Sequence, residues 1–246
     1  MASASLPSIR PLAVPVEHGA WGFLFEPIIL GLLIAPSGDG ALIALGGLAV
    51  FLLRHPLKLA IHDWIHRRYP RTALCELLAG VYGLVALVAF GAAFSPALIP
   101  MLFAIPFGAT QFVYDYRKQN RTLIAELCGA IAPATLIASI LLAAGKPTPM
   151  AAMLSALVLA RSIPSVLYVR SVLRGEHRMV MLTAHAIAIG IAAFVSWTAV
   201  IAMVLLLGRA VVPASGVRAQ TIGRREIGWG MVFVGLAAVG TFIGGL

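Results

Sequence analysis

Apolar residues along this 246-residue chain fall in long unbroken runs, divided by short polar connections. A bilayer core about 30 Å thick takes roughly 20 apolar residues per helix. By that measure the chain predicts about nine crossings, near 20–36, 41–60, 73–94, 96–114, 122–144, 148–170, 178–195, 197–212 and 228–246. The expected fold is all-α, a polytopic transmembrane helical bundle. Residues 1–19 read as an N-terminal cytoplasmic segment and 20–246 as one transmembrane domain. The stretch 178–212 is the difficult one. No glycine or proline marks a turn near its middle, and it is short for two full spans, so a single long helix is the alternative.

Composition agrees with immersion in lipid. Hydrophobic residues make up 61% of the chain and charged residues 11%, with a mean hydropathy of +0.98. A soluble domain carries about a quarter charged residues. Two cysteines, Cys75 and Cys128, exclude a disulfide scaffold. The first 19 residues contain no apolar stretch of their own, so no cleaved signal peptide is expected. The net charge of +9 could point to nucleic acid in a soluble protein; in a membrane protein it reports topology instead.

The basic residues sort to one side. Arg54, Lys58, Arg67, Arg68 and Arg71 follow span two; Arg117, Lys118 and Arg121 follow span four. Arg170, Arg174 and Arg178 follow span six, and Arg209, Arg218, Arg224 and Arg225 follow span eight. Arg10 in the N-terminal segment joins them, so that of all 18 only Lys146 and Arg161 stand elsewhere. That asymmetry puts the amino terminus in the cytoplasm and the carboxyl terminus outside. It also favours two spans over one in 178–212, because one would send the last four arginines to the far side.

Ionisable groups inside a bilayer need a partner or a watery cavity. Within the predicted spans they are Glu26, Glu76, Glu126, Arg161 and His185. Glu76 and Glu126 sit near cytoplasmic span ends, where helix-start electrostatics alone could hold them. Arg161 lies deepest, nine residues before Arg170, and either pairs with Glu26 or Glu126 or meets an anionic ligand. The outer half offers only Asp39 and Lys146. This gradient predicts a polar cavity open to the cytoplasm.

Spans two and six each contain a proline, Pro56 and Pro164, where a kink is expected. If helix continues beyond Pro56, then Lys58, His62 and His66 share one face, with Asp63 beside them. His62 and His66 at that spacing could take a metal; a solvated basic helix end is the alternative. Arg161 and Tyr168, seven apart, share a face of span six.

The strings PVEHGAWGFLFEP, RHP…HDWIHRRYPRT, YDYRKQNRTLIAELCGA and ARSIPSVLYVRSVLR resemble the YwiC-like family of bacterial membrane proteins. The resemblance implies the bacterial inner membrane and no settled activity. More distantly, nine spans with polar loops after spans two, four and six resemble the UbiA superfamily of intramembrane prenyltransferases. That superfamily carries N-D-x-x-D-x-x-x-D after span two, where this chain reads His62, Asp63, His66 and Pro70, then Arg71 and Thr72. Tyr114, Arg117 and Lys118 are similar to its tyrosine and basic pair after span four. A second aspartate-rich motif is replaced by arginines and the single acid Glu176. Paired carboxylate clusters hold Mg²⁺ against a diphosphate, so that mechanism does not carry over whole. Arginines can neutralise phosphate without metal.

The combined expectation is a UbiA-like bundle with a cavity for an anionic isoprenoid or lipid phosphate. Asp63, His62 and His66 stand as acid–base residues or as ligands for a divalent metal, Mg²⁺ or another. Arg54, Lys58, Arg117, Lys118, Arg161, Tyr168, Glu26 and Glu126 would line the ligand site. The rival classes are a small-molecule transporter and a non-catalytic membrane partner, such as an assembly factor or a haem binder.

Overall fold

The computed structural model describes residues 9–15, 18–67, 71–212 and 216–244. Every regular element among them is helical. A short helix α1 (Arg10–Ala13) precedes α2 (His18–Ile34), α3 (Gly38–Ile65) and α4 (Thr72–Ala92). The next span is broken into a 3₁₀ turn, Pro96–Leu98, then α5 (Ile99–Leu102) and α6 (Ala104–Tyr116). Then come α7 (Leu123–Ala143), α8 (Thr148–Arg174), α9 (Arg178–Ala193), α10 (Trp197–Val211) and α11 (Ala219–Gly244). All nine predicted spans are present as helical segments. Six are long and apolar enough to cross a membrane, and the helices over 19–34, 178–193 and 197–211 are shorter. The protein is a multi-pass membrane protein.

Caps explain the boundaries that proline and glycine do not. Ser196 divides 178–212 into two helices. Its backbone is extended, and its hydroxyl accepts the Ala199 N–H at 3.1 Å, satisfying one of the open donors of α10. Ser37 and Thr122 cap α3 and α7 in the same manner. Gly175, at φ 69, ends α8 in the left-handed region. Pro56 and Pro164 do not end their helices: α3 and α8 run on through them.

Six helices neighbour one another in a closed circuit, α2 to α7, α8, α9, α10, α11 and back to α2. Their inward side chains form the main core, with Leu30, Ile137, Leu154, Leu157, Val158 and Phe233 buried. Outside the circuit, α3 lies along α4 and α7, and α6 lies along α7. The outer helices present Leu77, Leu84, Leu87, Ile99, Leu102 and Ile105 outward. In water that surface would be a severe liability; in lipid it is the expected exterior. Pro70 and Arg68, along with Leu246, lie outside the described residues.

Candidate functional site

The deepest polar group, Arg161 on α8, lies inside the circuit with 1% of its side chain exposed. Its Nη2 donates to Glu26 Oε1 of α2 at 3.2 Å and to the Glu226 backbone oxygen of α11 at 3.1 Å. Its Nη1 donates to Ser165 Oγ one turn on and lies 3.7 Å from Glu226 Oε2. Glu226 in turn accepts from Arg209 Nη1 of α10. The Arg209 guanidinium stands 4.0 Å over the Tyr168 ring, a cation–π contact, and its Nη2 donates to Ser165 Oγ at 3.4 Å. From α9 the buried His185 uses its Nδ1 on the Met181 backbone oxygen at 2.8 Å. Two arginines thus face two glutamates, and the formal charges cancel. Removing either sign would leave a buried ion uncompensated, which costs about 3–5 kcal/mol.

One glycine makes room for this centre. A β-carbon on Gly230 of α11 would stand 2.0 Å from Glu26 Oε1. The Glu26 carboxylate therefore occupies space that any other residue at 230 would fill.

A second charged group holds α3, α4 and α6 together. Lys58 Nζ donates to Asp115 Oδ1 at 2.9 Å, and Arg54 Nε lies 3.7 Å from Asp115 Oδ2. Arg71 donates with Nε and Nη2 to both oxygens of buried Asp63, at 2.9 and 3.1 Å. His62 and His66 stack at 4.1 Å between ring centroids, as a shared helix face requires. His66 Nδ1 is on the His62 backbone oxygen at 2.8 Å. Trp64 Nε1 donates to Glu76 Oε1 at 2.7 Å. A third group sits at the end of α8, where Arg170 donates to Glu126 at 2.9 Å and to Glu176, and Arg174 lies 3.9 Å from Glu126.

At 62–66 two of the three candidate ligands are already engaged within the protein. Both Asp63 oxygens carry a guanidinium, and the His66 Nδ1 is spent on its own helix. Among the described residues no three His, Cys, Asp or Glu side chains come together as ligands would.

A cavity of about 500 Å³ links the first and third groups. Glu26, Arg161 and Glu226 line its inner part; Arg54, Asp115, Asn120, Arg121, Glu126 and Gln220 line the remainder. Phe23, Val166, Val169 and Leu173 supply apolar wall between them. Of the residues expected to form a ligand site, Arg54, Glu26, Glu126 and Arg161 meet here. His62, Asp63, His66, Lys58 and Tyr168 do not line it. Arg117 and Lys118 are exposed just past the end of α6. Arg121, Glu226 and Arg209 had not been singled out. Glu226 fell outside the predicted ninth span, which began at 228, whereas α11 starts at Ala219.

A larger cavity, about 1080 Å³, lies further along the same helices, toward Phe103, Phe107, Ala138, Ala152 and Leu159. Asp39 is its one ionisable lining residue, so the charged chemistry belongs to the smaller cavity.

The sequence model of a family described as YwiC-like protein matches residues 14–144, from α2 through α7. No curated protein and no solved structure matches the chain.

Proposed function

The chain belongs to the YwiC-like protein family, and we propose that it binds an anionic isoprenoid or other lipid phosphate in the cavity between α2, α7, α8 and α11. The cavity opens to the cytoplasm in this reading, and the carboxyl terminus lies outside. The observation that carries it is the lining: the guanidinium groups of Arg121 and Arg161 share one cavity with the apolar side chains of Phe23, Val166, Val169 and Leu173, and Arg161 is already compensated by Glu26 and Glu226.

Roles divide by how each arginine is already engaged. Arg161 is held by Glu26 and Glu226, so it forms the floor and keeps little charge for a ligand. Arg121 is exposed and carries no ion pair among the described residues. It supplies the anion contact, since a planar guanidinium group matches phosphate oxygens. Exposed Arg117 and Lys118 add a positive field that draws an anion to the mouth. The lipid chain lies beside the headgroup, along the apolar cavity that follows on α6: Phe103 and Phe107 line that one, Gln111 and Asp115 this one.

This reading keeps the ligand class that the UbiA resemblance implies and leaves out its metal, because Asp63 is committed to Arg71. Orientation is supported by the placement of basic residues. The test is thermal stability of the purified protein with added isoprenyl diphosphate or phosphatidic acid. Ligand that binds only the folded form raises the midpoint. Wild type should be stabilised and Arg121→Ala much less; equal shifts in both would reject the assignment.

A further inference from the structure

We infer that the larger cavity is a tail subsite that carries the ligand's chain past the bilayer midplane, so that the site takes a lipid phosphate with one chain longer than a single leaflet. The inference rests on the phosphate reading above and narrows its ligand class by length.

The two cavities meet end to end on the same three helices. On α6 the lining passes from Phe107 of the larger cavity to Gln111 of the smaller; on α7 it passes from Ile131 to Gly129, and on α8 from Leu159 to Arg161. Each step is about one helical turn or less. Gln111 stands at the junction, and a β-carbon on Gly129 would lie 2.2 Å from its Nε2. That amide is the free end of a flexible side chain, so a rotamer change lets a chain pass between α6 and α7.

Length follows from where the two linings stop. Arg121 precedes α7 and lines the smaller cavity; Gly145 follows α7 and lines the larger one. The linings therefore reach opposite ends of a helix of 21 residues, about 30 Å at 1.5 Å per residue. That is the full thickness of a hydrocarbon core, and the chain of a one-leaflet lipid covers roughly half of it, about 15 Å.

The chemistry of the walls fixes which end of the ligand enters. Phe103, Phe107, Ala152 and Leu159 present hydrocarbon. Two lining hydroxyls, Thr135 and Ser155, donate at 2.9 Å to the Ala132 and Ala151 backbone oxygens of their own helices. A phosphate would be an unpaired charge among these groups, and Asp39, the one ionisable lining residue, repels it. The phosphate stays at Arg121, and only an apolar chain runs on to the far end.

The experiment uses full-length purified protein in lipid nanodiscs with three probes, each carrying a photoreactive diazirine at the tail end. They are heptaprenyl phosphate, farnesyl phosphate and phosphatidic acid. Heptaprenyl phosphate should label residues around Thr148 and Ala152, and the two shorter probes should label residues around Phe107 and Ile131. Ala152→Phe and Ala156→Phe, placed beyond the junction, should weaken heptaprenyl phosphate about tenfold, the scale of overpacking by one side chain. Neither should change farnesyl phosphate binding. Should a phenylalanine variant fail to fold, the labelling of wild type still decides. Suppose instead that the heptaprenyl end labels only outward-facing residues such as Leu84 and Leu87, or that phosphatidic acid labels the far residues equally. Either result, with all three probes weakened by Arg121→Ala, would overturn the tail subsite and leave the phosphate reading standing. Binding of no probe, or binding indifferent to Arg121→Ala, would remove the phosphate reading and this inference with it.

Discussion

Arg161 and Glu26 stand 135 positions apart in the chain and meet at 3.2 Å, each with 1% of its side chain exposed. The pair ties α8 to α2 across the inside of the helical circuit, and Glu226 extends it to α11. Arg161→Leu strands the Glu26 carboxylate, leaves Glu226 to Arg209 alone, and should cost about 3–5 kcal/mol of stability. Adding Glu26→Gln should recover part of that loss, with a coupling of roughly 0.5–3 kcal/mol. Denaturation of the four proteins of this cycle in detergent gives the number. Strict additivity would mean that the two side chains do not share a structural role.

Gly230 supplies the next test. A β-carbon there would stand 2.0 Å from Glu26 Oε1, so Gly230→Ala forces α11 or the carboxylate to move. The expected cost is about 1–3 kcal/mol, the usual penalty for overpacking. Gly235, on the same helix, meets nothing within 4 Å. Gly235→Ala should be neutral or gain up to roughly 1 kcal/mol in helix propensity. Equal effects at both sites would argue against the close packing of α11 on Glu26.

Ser196 is the residue that makes two helices from 178–212. Ser196→Ala removes the acceptor for the Ala199 N–H and should lower stability by about 1 kcal/mol. Hydrogen exchange of the amides at 197–199 should rise in the variant. No change in either measure would show that packing alone makes the turn.

Asp63 and Arg71 offer a separate check on the 62–66 region. Asp63→Asn turns one of the two acceptors of Arg71 into a donor and removes the charge from the other, where a bond to a charged group is worth up to about 1.5–3 kcal/mol when buried. Arg71 is 39% exposed, so a total of about 1–2 kcal/mol is expected after screening. Elemental analysis of the same two proteins completes it. Stoichiometric Mg²⁺, Mn²⁺ or Zn²⁺ in the wild type, lost in Asp63→Asn, would contradict the structural pairing.

The helices were legible because long apolar runs are a one-dimensional signal, and Arg161 was legible as a lone charge inside such a run. Glu26 was one of its two expected partners. The other, Glu126, instead meets Arg170, which sits nine residues further along α8. Choosing between them needs the circuit to close, and no local pattern encodes that. Glu226 and Arg209 escaped for a related reason. Glu226 sits in the polar stretch ahead of the last apolar run, and Arg209 lies three residues from the end of the eighth span, where a charge looks like a solvated helix end. Only α10 and α11 packing side by side turns the two ends inward. The stop at Ser196 was hidden because a serine cap is weaker punctuation than glycine or proline, and the polar cavity was visible only as a gradient of charge along the spans.

Topology can be checked independently of ligand. Basic residues on one side require an odd number of crossings, so a phosphatase fused after Leu246 should be active outside the cytoplasm. An inactive phosphatase fusion, with a fluorescent cytoplasmic reporter active at the same position, would overturn the orientation.

The most direct measurement of the central claim is native mass spectrometry of gently extracted protein. Wild type should retain a lipid phosphate, and Arg121→Glu, which reverses an exposed cation at the cavity lining, should release it while staying folded. Retention of the same lipid by both proteins, or of no phosphate-bearing lipid by wild type, would contradict the account.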